Sequence, residues 1–442
     1  MADWQGKSAG DLGRGIAAGK ADPVELAEAF LAAIAAHPDA ARIYARLTPD
    51  RARAEAKAAA LRAKAGLRVS PLDGVPISWK DLFDSASVAT ESGSRLLKGR
   101  IPDRDAEVLQ TATQQGLICL GKTHMTELAF SGLGLNPMTA TPPNIHDPAL
   151  VAGGSSSGAA TSIAFGLAPA AVGSDTGGSV RIPAAWNDLV GLKTTSGRLS
   201  LKGVVPLVES FDTVGPLTRN VEDAALLLAA LEGGKPADLC GATIAGQRLA
   251  VLDTVAFDDI RDAPANAFED AARRLAAAGA RVERLTFPAL PAIMALSGIL
   301  FTSEAYAIWR DRIEAAPDLM FAPILDRFRS GASFAAADYV EAWRSLRAAR
   351  ALWAEATAPY DAILIPTAAI LPPDAARLMS DPEYFARENL LALRNTRIGN
   401  LLGLSALTLP TGTPSCGIML MGRAFGEEAL LRLGVAAEKA LI

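Results

Sequence analysis

From Leu72 onward, short apolar runs alternate with stretches of helical periodicity. The runs fall at residues 75–77, 117–120, 168–172, 249–252, 282–285, 363–365 and 418–421. Runs this short and this apolar are typical of strands covered on both faces of a sheet. Together with the helical stretches between them, they predict an α/β fold with a mixed, mostly parallel, twisted sheet and helices on both faces.

The chain begins with signals for helices. Asp22, Pro23 and Glu25 match an N-cap, a proline in the first helical turn and an N3 glutamate, and apolar residues at helical spacing follow to residue 36. A second helix, rich in alanine and arginine, is predicted near residues 50–65. Residues 1–66 are therefore expected to form a helical layer.

We expect residues 1–442 to form one large domain. No internal repeat is present, and no Pro/Gly/Ser linker is long enough to separate independent domains. Residues 231–242 are the best candidate boundary, but we interpret them as a loop between elements. Residues 67–230 would then form the core, and residues 231–442 would complete the same sheet.

Composition excludes several classes of protein. The chain has 43 basic and 48 acidic residues, giving a net charge of −5 without long single-sign runs, which argues against nucleic-acid and membrane surfaces. Its three cysteines are widely separated, which favours a reducing compartment over a disulfide framework. Its three histidines lack metal-ligand spacing, so no metal is expected. The N-terminus lacks signal-peptide features, and we expect a soluble cytoplasmic protein.

One motif is a decoy. Residues 116–123 match the phosphate-binding pattern G-x-x-x-x-G-K-[ST] letter for letter. In a phosphate loop the strand precedes the first glycine, whereas here the residues between the two glycines are themselves the apolar run. Nucleotide binding is therefore not expected.

Two Gly/Ser-rich segments, residues 153–158 and 173–183, indicate nucleophilic chemistry. Each has an alternative interpretation, a flexible linker for the first and a tight turn with an aspartate cap for the second. However, residues 159–165 continue the first segment as a helix, and a helix N-terminus favours developing negative charge. The second segment contains three glycines, two serines and an arginine within nine residues, more than a turn requires. A serine beside such glycines is suited to acyl transfer.

A serine nucleophile needs a base, and Lys80 is the best candidate. Most lysines are solvated surface groups, but Lys80 follows a buried strand pattern, where desolvation would lower its pKa and let it act as a base. None of the histidines has an obvious aspartate partner, and His124 and His146 are expected in loops. A Ser-Lys arrangement is therefore favoured over Ser-His-Asp.

These residues resemble the amidase signature family over nearly the whole chain. The most specific match runs from Gly153 through Pro183, with two family serines 24 positions apart. Residues 74–81, 121–123 and 210–219 match as well. The resemblance implies a single amidase domain of the amidase signature fold that needs no cofactor and hydrolyses a small amide.

The resemblance also assigns roles to individual residues. Ser179 would be the nucleophile, Ser155 the proton-relaying serine after a cis peptide bond, and Lys80 the base. The other assigned residues form three groups: an oxyanion hole of backbone N–H groups at Thr176, Gly177, Gly178 and Ser179; a small, largely apolar pocket at Ala129, Phe130, Ser131 and Gly132; and a supporting set of Ser156, Asp175 and Arg181.

Two alternatives to a stand-alone amidase stay open, and a homodimer is possible. The glutaminase subunit of tRNA-dependent amidotransferases shares these motifs and would bring partner subunits. It usually holds the glutamine ammonium group with an aspartate seven positions before an asparagine, and that position is Leu393 here, before Asn400. A catalytically silent binding subunit on the same fold is the second alternative.

Overall fold

Eleven strands share one sheet in the computed structural model, which describes residues 4–441; Met1–Asp3, part of the N-terminal segment discussed above, lie outside it. The strands are β1 (Tyr44–Leu47), β2 (Pro76–Lys80), β3 (Ile118–Thr123), β4 (Ala170–Asp175), β5 (Val190–Lys193), β6 (Thr213–Thr218), β7 (Arg248–Leu252), β8 (Arg281–Leu285), β9 (Ala362–Pro366), β10 (Ser405–Pro410) and β11 (Gly417–Gly422). Their order across the sheet is β1-β3-β2-β4-β6-β5-β10-β11-β9-β7-β8.

Helices flank the sheet, as the sequence predicts. They are α1 (Ala9–Ala17), α2 (Pro23–Ala36), α3 (Ala40–Ile43), α4 (Pro49–Lys64), α5 (Glu107–Gln114), α6 (Ser157–Ala164), α7 (Arg181–Trp186), α8 (Val221–Glu232), α9 (Asp262–Ala277), α10 (Leu290–Ala295), α11 (Ser297–Ala315), α12 (Ala322–Arg329), α13 (Ala336–Thr357), α14 (Ala375–Ser380), α15 (Pro382–Leu401) and α16 (Glu427–Leu441). α6 packs against β2 and β4, α8 against β6, and α16 against β10 and β11.

The sheet is mixed, as expected, but parallel pairs are the minority. Of the ten pairings between described strands, the four parallel ones join β3 to β2, β2 to β4, β8 to β7 and β7 to β9. The other six are antiparallel. The expectation of a mostly parallel sheet is therefore corrected, because β5, β6, β10 and β11 return beside their neighbours in the opposite direction.

The seven apolar runs all coincide with or overlap strands. One of them is not covered on both faces: residues 282–285 belong to β8, an edge strand in which Val282 and Leu285 are only half-buried and Glu283 and Arg284 are exposed. The remaining six belong to strands with mainly buried residues, which suits their position inside the sheet.

The N-terminal helices begin close to where the sequence places them. α2 starts at Pro23, and the Asp22 carboxylate accepts from the backbone N–H of Val24 at 2.8 Å, as an N-cap does. α4 covers the second predicted helix. This segment also supplies β1, which pairs antiparallel with β3, so residues 4–66 contribute a strand as well as a helical layer.

The segment Leu290–Ala315 is long and apolar enough, by length and composition alone, to cross a membrane. It comprises α10 and α11, and core helices pass the same test. Leu300, Ala305 and Trp309 on α11 are buried within the fold. The segment is therefore weak evidence for a membrane span.

Candidate active site

The candidate site lies where two parallel strands end side by side. Lys80 is the last residue of β2 and Asp175 the last of β4, and the two strands pair through Ser78 with Ala171 and Trp79 with Val172. The carboxyl ends of neighbouring parallel strands meet at one edge of the sheet, where side chains of both converge. This edge gathers the sequence motifs into one place.

Lys80 is fully buried between two serines. Its Nζ lies 2.7 Å from the Oγ of Ser155 and 2.7 Å from the Oγ of Ser174, and the side chain has no solvent exposure. Burial lowers the pKa of Lys80 to about 7, while the charges of Asp175 and Asp212 act in the opposite direction. A neutral amine is therefore substantially populated at neutral pH, as a base requires.

Ser155 lies just before α6, whose N-cap is Ser156, so the first Gly/Ser segment leads into a helix as the sequence predicts. The peptide bond between Gly154 and Ser155 is cis, in agreement with the resemblance. The next residue ties the two segments together, because Ser156 N–H donates to the Ser179 carbonyl at 3.2 Å and Ser156 Oγ donates to the Ser174 carbonyl at 3.2 Å. Ser156 therefore joins the two Gly/Ser segments through both its backbone and its side chain.

Ser179 lies in the loop between β4 and α7, and its side chain borders a narrow cavity. Thr176, Gly177 and Ser179 line that cavity, and within residues 4–441 their backbone N–H groups donate to no protein acceptor. Gly178 differs, since its N–H donates to the Asp175 carboxylate at 2.9 Å. The expectation that Gly178 contributes to an oxyanion hole is therefore corrected, and three N–H groups are available to an oxyanion.

Asp175 fixes the shape of this loop. Its two oxygens accept from the N–H groups of Gly178 and Val180 and from the Arg181 guanidinium, with a shortest ion-pair distance of 2.9 Å, and neither side chain of the ion pair is exposed. Burial alone would raise the pKa of Asp175, but the Arg181 charge and hydrogen bonds bring it well below the ordinary value. Asp175 is thus a charged anchor for the loop.

A second clamp on the loop comes from α15. Thr396 Oγ1 donates to the Gly177 carbonyl at 2.6 Å, and Asn400 Nδ2 donates to Asp175 at 2.9 Å. Gly178 has a φ of +137°, and a Cβ built there would overlap Thr396 Oγ1. Glycine is therefore required at this position by both conformation and space.

Thr176, at the start of the loop, is held by a buried carboxylate. Its hydroxyl donates to Asp212, which also accepts from the N–H groups of Leu207 at 2.9 Å and Val208 at 3.1 Å. Burial raises the pKa of Asp212 to about 6, against these hydrogen bonds. Asp212 lies within a matched motif, but only the structure shows its contact with Thr176.

The narrow cavity beside Ser179 contains most of the expected pocket. Ala129, Phe130 and Ser131 line it, while Gly132 lies behind and donates its N–H to Asn389 at 2.9 Å. Of the remaining lining residues, the sequence draws attention only to Leu393; the set is Leu207, Phe301, Arg327, Leu393 and Arg397.

A wider cavity of about 550 Å³ adjoins the narrow one. Phe301, Arg327 and Arg397 line both, so these three side chains stand where the two spaces meet. They come from α11, α12 and α15, in the C-terminal half of the chain, which carries no motif that would have singled them out.

Two residues near the predicted chemistry make contacts that the sequence does not indicate. Ser174 immediately precedes Asp175, and the sequence assigns it no role. It nevertheless contacts Lys80 as closely as Ser155 does. His146 has an aspartate partner after all, since its Nε2 lies 2.8 Å from Asp188. That pair is about one-third exposed and makes no hydrogen bond to Lys80, Ser155 or Ser179.

Comparison with known proteins identifies the family. A family model described as Amidase matches residues 25–431. The chain belongs to the amidase family. This amidase-family chain is 36% identical over 410 residues to a 2-amino-5-chloromuconic acid deaminase of Comamonas testosteroni, covering 90% of this chain and 88% of the relative.

Further relatives agree over nearly full length. Identity is 31% over 464 residues to a subunit of the glutamyl-tRNA(Gln) amidotransferase of Chloroflexus aurantiacus, covering 96% of this chain and 94% of that protein. A crystal structure of an amidase superposes with a TM-score of 0.88 and 28% identity, covering 98% of this chain and 99% of that one. These matches support an enzyme of amide hydrolysis and leave its substrate class undetermined.

Proposed function

We propose that this amidase-family chain hydrolyses a small carboxamide or urea-like amide through an acyl-enzyme on Ser179, releasing an acid and ammonia or an amine. The observation that carries the proposal is the fully buried contact of Lys80 with Ser155, beside the Ser179 loop with its three available N–H groups. A base, a relay and an oxyanion site then occupy one edge of the sheet.

The first half of the reaction forms the ester. Neutral Lys80 takes the Ser155 proton, Ser155 takes the Ser179 proton, and Ser179 Oγ attacks the amide carbonyl carbon. The Ser179 hydroxyl makes no hydrogen bond within residues 4–441, so no other protein group competes with Ser155 for its proton. The oxyanion is stabilised by the N–H groups of Thr176, Gly177 and Ser179.

The second half regenerates the enzyme. As the C–N bond breaks, the relay returns its proton to the leaving nitrogen, which departs as ammonia or an amine. Water then attacks the Ser179 ester and gives a proton to the same relay. The relay passes that proton to Ser179 Oγ as the C–O bond breaks, which releases the acid and restores the serine hydroxyl. No oxidant, reductant or cofactor enters this balance.

A small substrate is supported by the narrow cavity beside Ser179 and by one relative. That relative is a deaminase named for a small organic acid, which favours ammonia as the leaving group. The glutaminase role of the second relative is less well supported, because Leu393 lines the cavity where the resemblance expects an aspartate. A leucine side chain cannot neutralise the ammonium group of glutamine.

The test is ammonia release from a panel of small amides by wild-type protein, Ser179→Ala and the surface control Ser333→Ala. We expect turnover with wild type and Ser333→Ala, none with Ser179→Ala, and a mass increase of one acyl group in wild type quenched during turnover. Turnover that survives in Ser179→Ala would refute the assignment. Activity on glutamine that needs partner subunits would instead support the glutaminase.

A further inference from the structure

Two arginines at the junction of the cavities lack carboxylate partners. Within residues 4–441, the Arg397 side chain makes no hydrogen bond and no ion pair, although only 9% of the residue is exposed. Arg327 has no carboxylate oxygen within 4 Å either. By contrast, the buried guanidinium of Arg181 is paired with Asp175. A desolvated cation without an anion is unfavourable unless a ligand supplies the anion.

The Arg327 guanidinium is held in place at the junction, and the Arg397 stem packs beside the loop that carries Ser179. Arg327 Nη1 donates to the Phe130 carbonyl at 2.9 Å, and its guanidinium lies 4.3 Å from the centre of the Phe130 ring. The Arg397 stem packs near Gly177, with Cγ 3.6 Å from where a Cβ on that glycine would lie. The remaining donors of both arginines are available to the shared space.

The Arg397 charge also disfavours the charged form of Arg327. Burial lowers the pKa of Arg397 to about 10. Burial, with a contribution from the Arg397 charge, lowers the pKa of Arg327 well below its ordinary value. Asp326 borders the wider cavity, but it is exposed and forms no ion pair with either arginine. An anion placed between Arg327 and Arg397 would relieve both the desolvation and the repulsion.

We propose that the substrate is the monoamide of a small dicarboxylic acid, with its amide carbonyl at Ser179 and its carboxylate held by Arg327 and Arg397. The proposal rests on the proposed function and adds its substrate class. Planar guanidinium groups match a carboxylate in charge and geometry. Leu207, Phe301 and Leu393 supply apolar walls for the short carbon chain between the two ends.

The same geometry rejects two other kinds of substrate. A neutral amide of equal size leaves both guanidinium groups unpaired, and an amide carrying an ammonium group brings like charge toward them. Because Leu393 offers no carboxylate, an α-amino group on the chain gains no partner at that position. The expected preference is therefore for an anionic amide without an amino group.

Steady-state kinetics test the proposal with malonamate, succinamate and glutaramate, each compared with its neutral methyl ester. We expect the best monoamide to exceed its ester in kcat/KM by roughly 100-fold. Charge-assisted hydrogen bonds of this kind predict that Arg397→Met lowers kcat/KM for the monoamide by roughly 10- to 100-fold and for the ester by less than about 3-fold. Arg387→Met is the control, since Arg387 is an exposed arginine of the same helix, outside both cavities.

A binding measurement keeps the proposal testable without turnover. Titration of Ser179→Ala protein with succinate and with neutral succinamide should show succinate bound at least about tenfold more tightly. The added substitution Arg397→Met should abolish that difference, and Arg387→Met should preserve it. Equal binding of the two compounds, or equal kcat/KM for monoamide and ester, would overturn the inference. Loss of all amide hydrolysis in the wild type would instead refute the proposed function.

Discussion

The pH dependence of acylation gives the sharpest test of Lys80 as the base. A solvated lysine has a pKa near 10.5, and burial lowers the pKa of Lys80 to about 7. At pH 7 the neutral fraction thus increases from roughly one in 3,000 to about one half, a difference of about 5 kcal/mol in the protonation equilibrium. The fold itself supplies this free base.

The sign of the effect follows from which form is active. Only the neutral amine accepts a proton, so kcat/KM should rise about tenfold per pH unit below pH 7 and level off above it. The assay is ammonia release at low substrate concentration from pH 5 to 10, using an amide whose own charge is constant over that range. A plateau already reached at pH 5, or a midpoint near 10.5, would refute the reasoning.

Substitutions at Lys80 test whether the midpoint of the pH–rate profile arises from the titration of this lysine. Lys80→Ala should lower kcat/KM by roughly 10²- to 10⁴-fold, the usual contribution of general acid–base catalysis. Lys80→Arg should be as inactive, because a guanidinium group does not deprotonate at these pH values.

Lys193 and Glu127 are among the buried groups whose pKa lies near that of Lys80, and they provide controls. Burial lowers the pKa of Lys193 to about 7 and raises the pKa of Glu127 to about 7. Lys193→Met and Glu127→Gln should therefore leave the midpoint of the rate profile in place. A midpoint that moves in either variant, together with activity in Lys80→Ala, would assign the titration to the substituted group instead of Lys80.

Two substitutions test the loop that carries Ser179. Gly178→Ala forces a methyl group against Thr396 at a φ of +137°, which displaces the loop and its N–H groups. We therefore expect kcat/KM in the ammonia assay to fall by at least about 100-fold. Near-wild-type activity would contradict the close packing. Arg181→Met leaves the Asp175 carboxylate buried without its ion pair, so the free energy of unfolding measured in urea should fall by about 3–5 kcal/mol. A decrease below about 1 kcal/mol would contradict a structural role for the pair.

The sequence predicts much of the fold, and its failures have physical causes. β6 is not predicted, because Gly215 and Pro216 lie inside it and both residues weaken a strand pattern. It is nevertheless a central strand, paired antiparallel with β4 on one side and β5 on the other. Antiparallel neighbours of this kind explain why the expected majority of parallel pairs is absent. Hydrophobic periodicity indicates which residues of one segment are buried. The direction of strand pairing depends on contacts between segments that are far apart in the sequence.

The candidate site likewise contains residues that the sequence predicts and residues that only the fold brings in. Ser155, Ser179 and Lys80 belong to local motifs whose spacing is visible in the chain, and the structure places all three at one edge of the sheet. Arg327 and Arg397 lie on helices more than 140 positions after Ser179, and no motif in those helices assigns either arginine a role. These two arginines stand out because no carboxylate lies beside them in the folded protein. The sequence does not show which groups surround a side chain after folding.

Two buried ionisable groups at this edge of the sheet differ in charge state: Asp175 stays ionised, whereas Lys80 readily loses its proton. The proposed chemistry depends on this difference. Asp175 stays ionised because its oxygens accept from Arg181, Asn400 and two loop N–H groups, so its charge is committed to the loop. Lys80 meets only hydroxyl groups, so burial prevails over the attraction of Asp175 and brings its pKa to about 7. If Arg181 did not neutralise Asp175, the uncompensated anion would hold the proton on Lys80 more firmly. The Asp175–Arg181 pair therefore shapes the loop and also preserves the basic form of Lys80 at neutral pH.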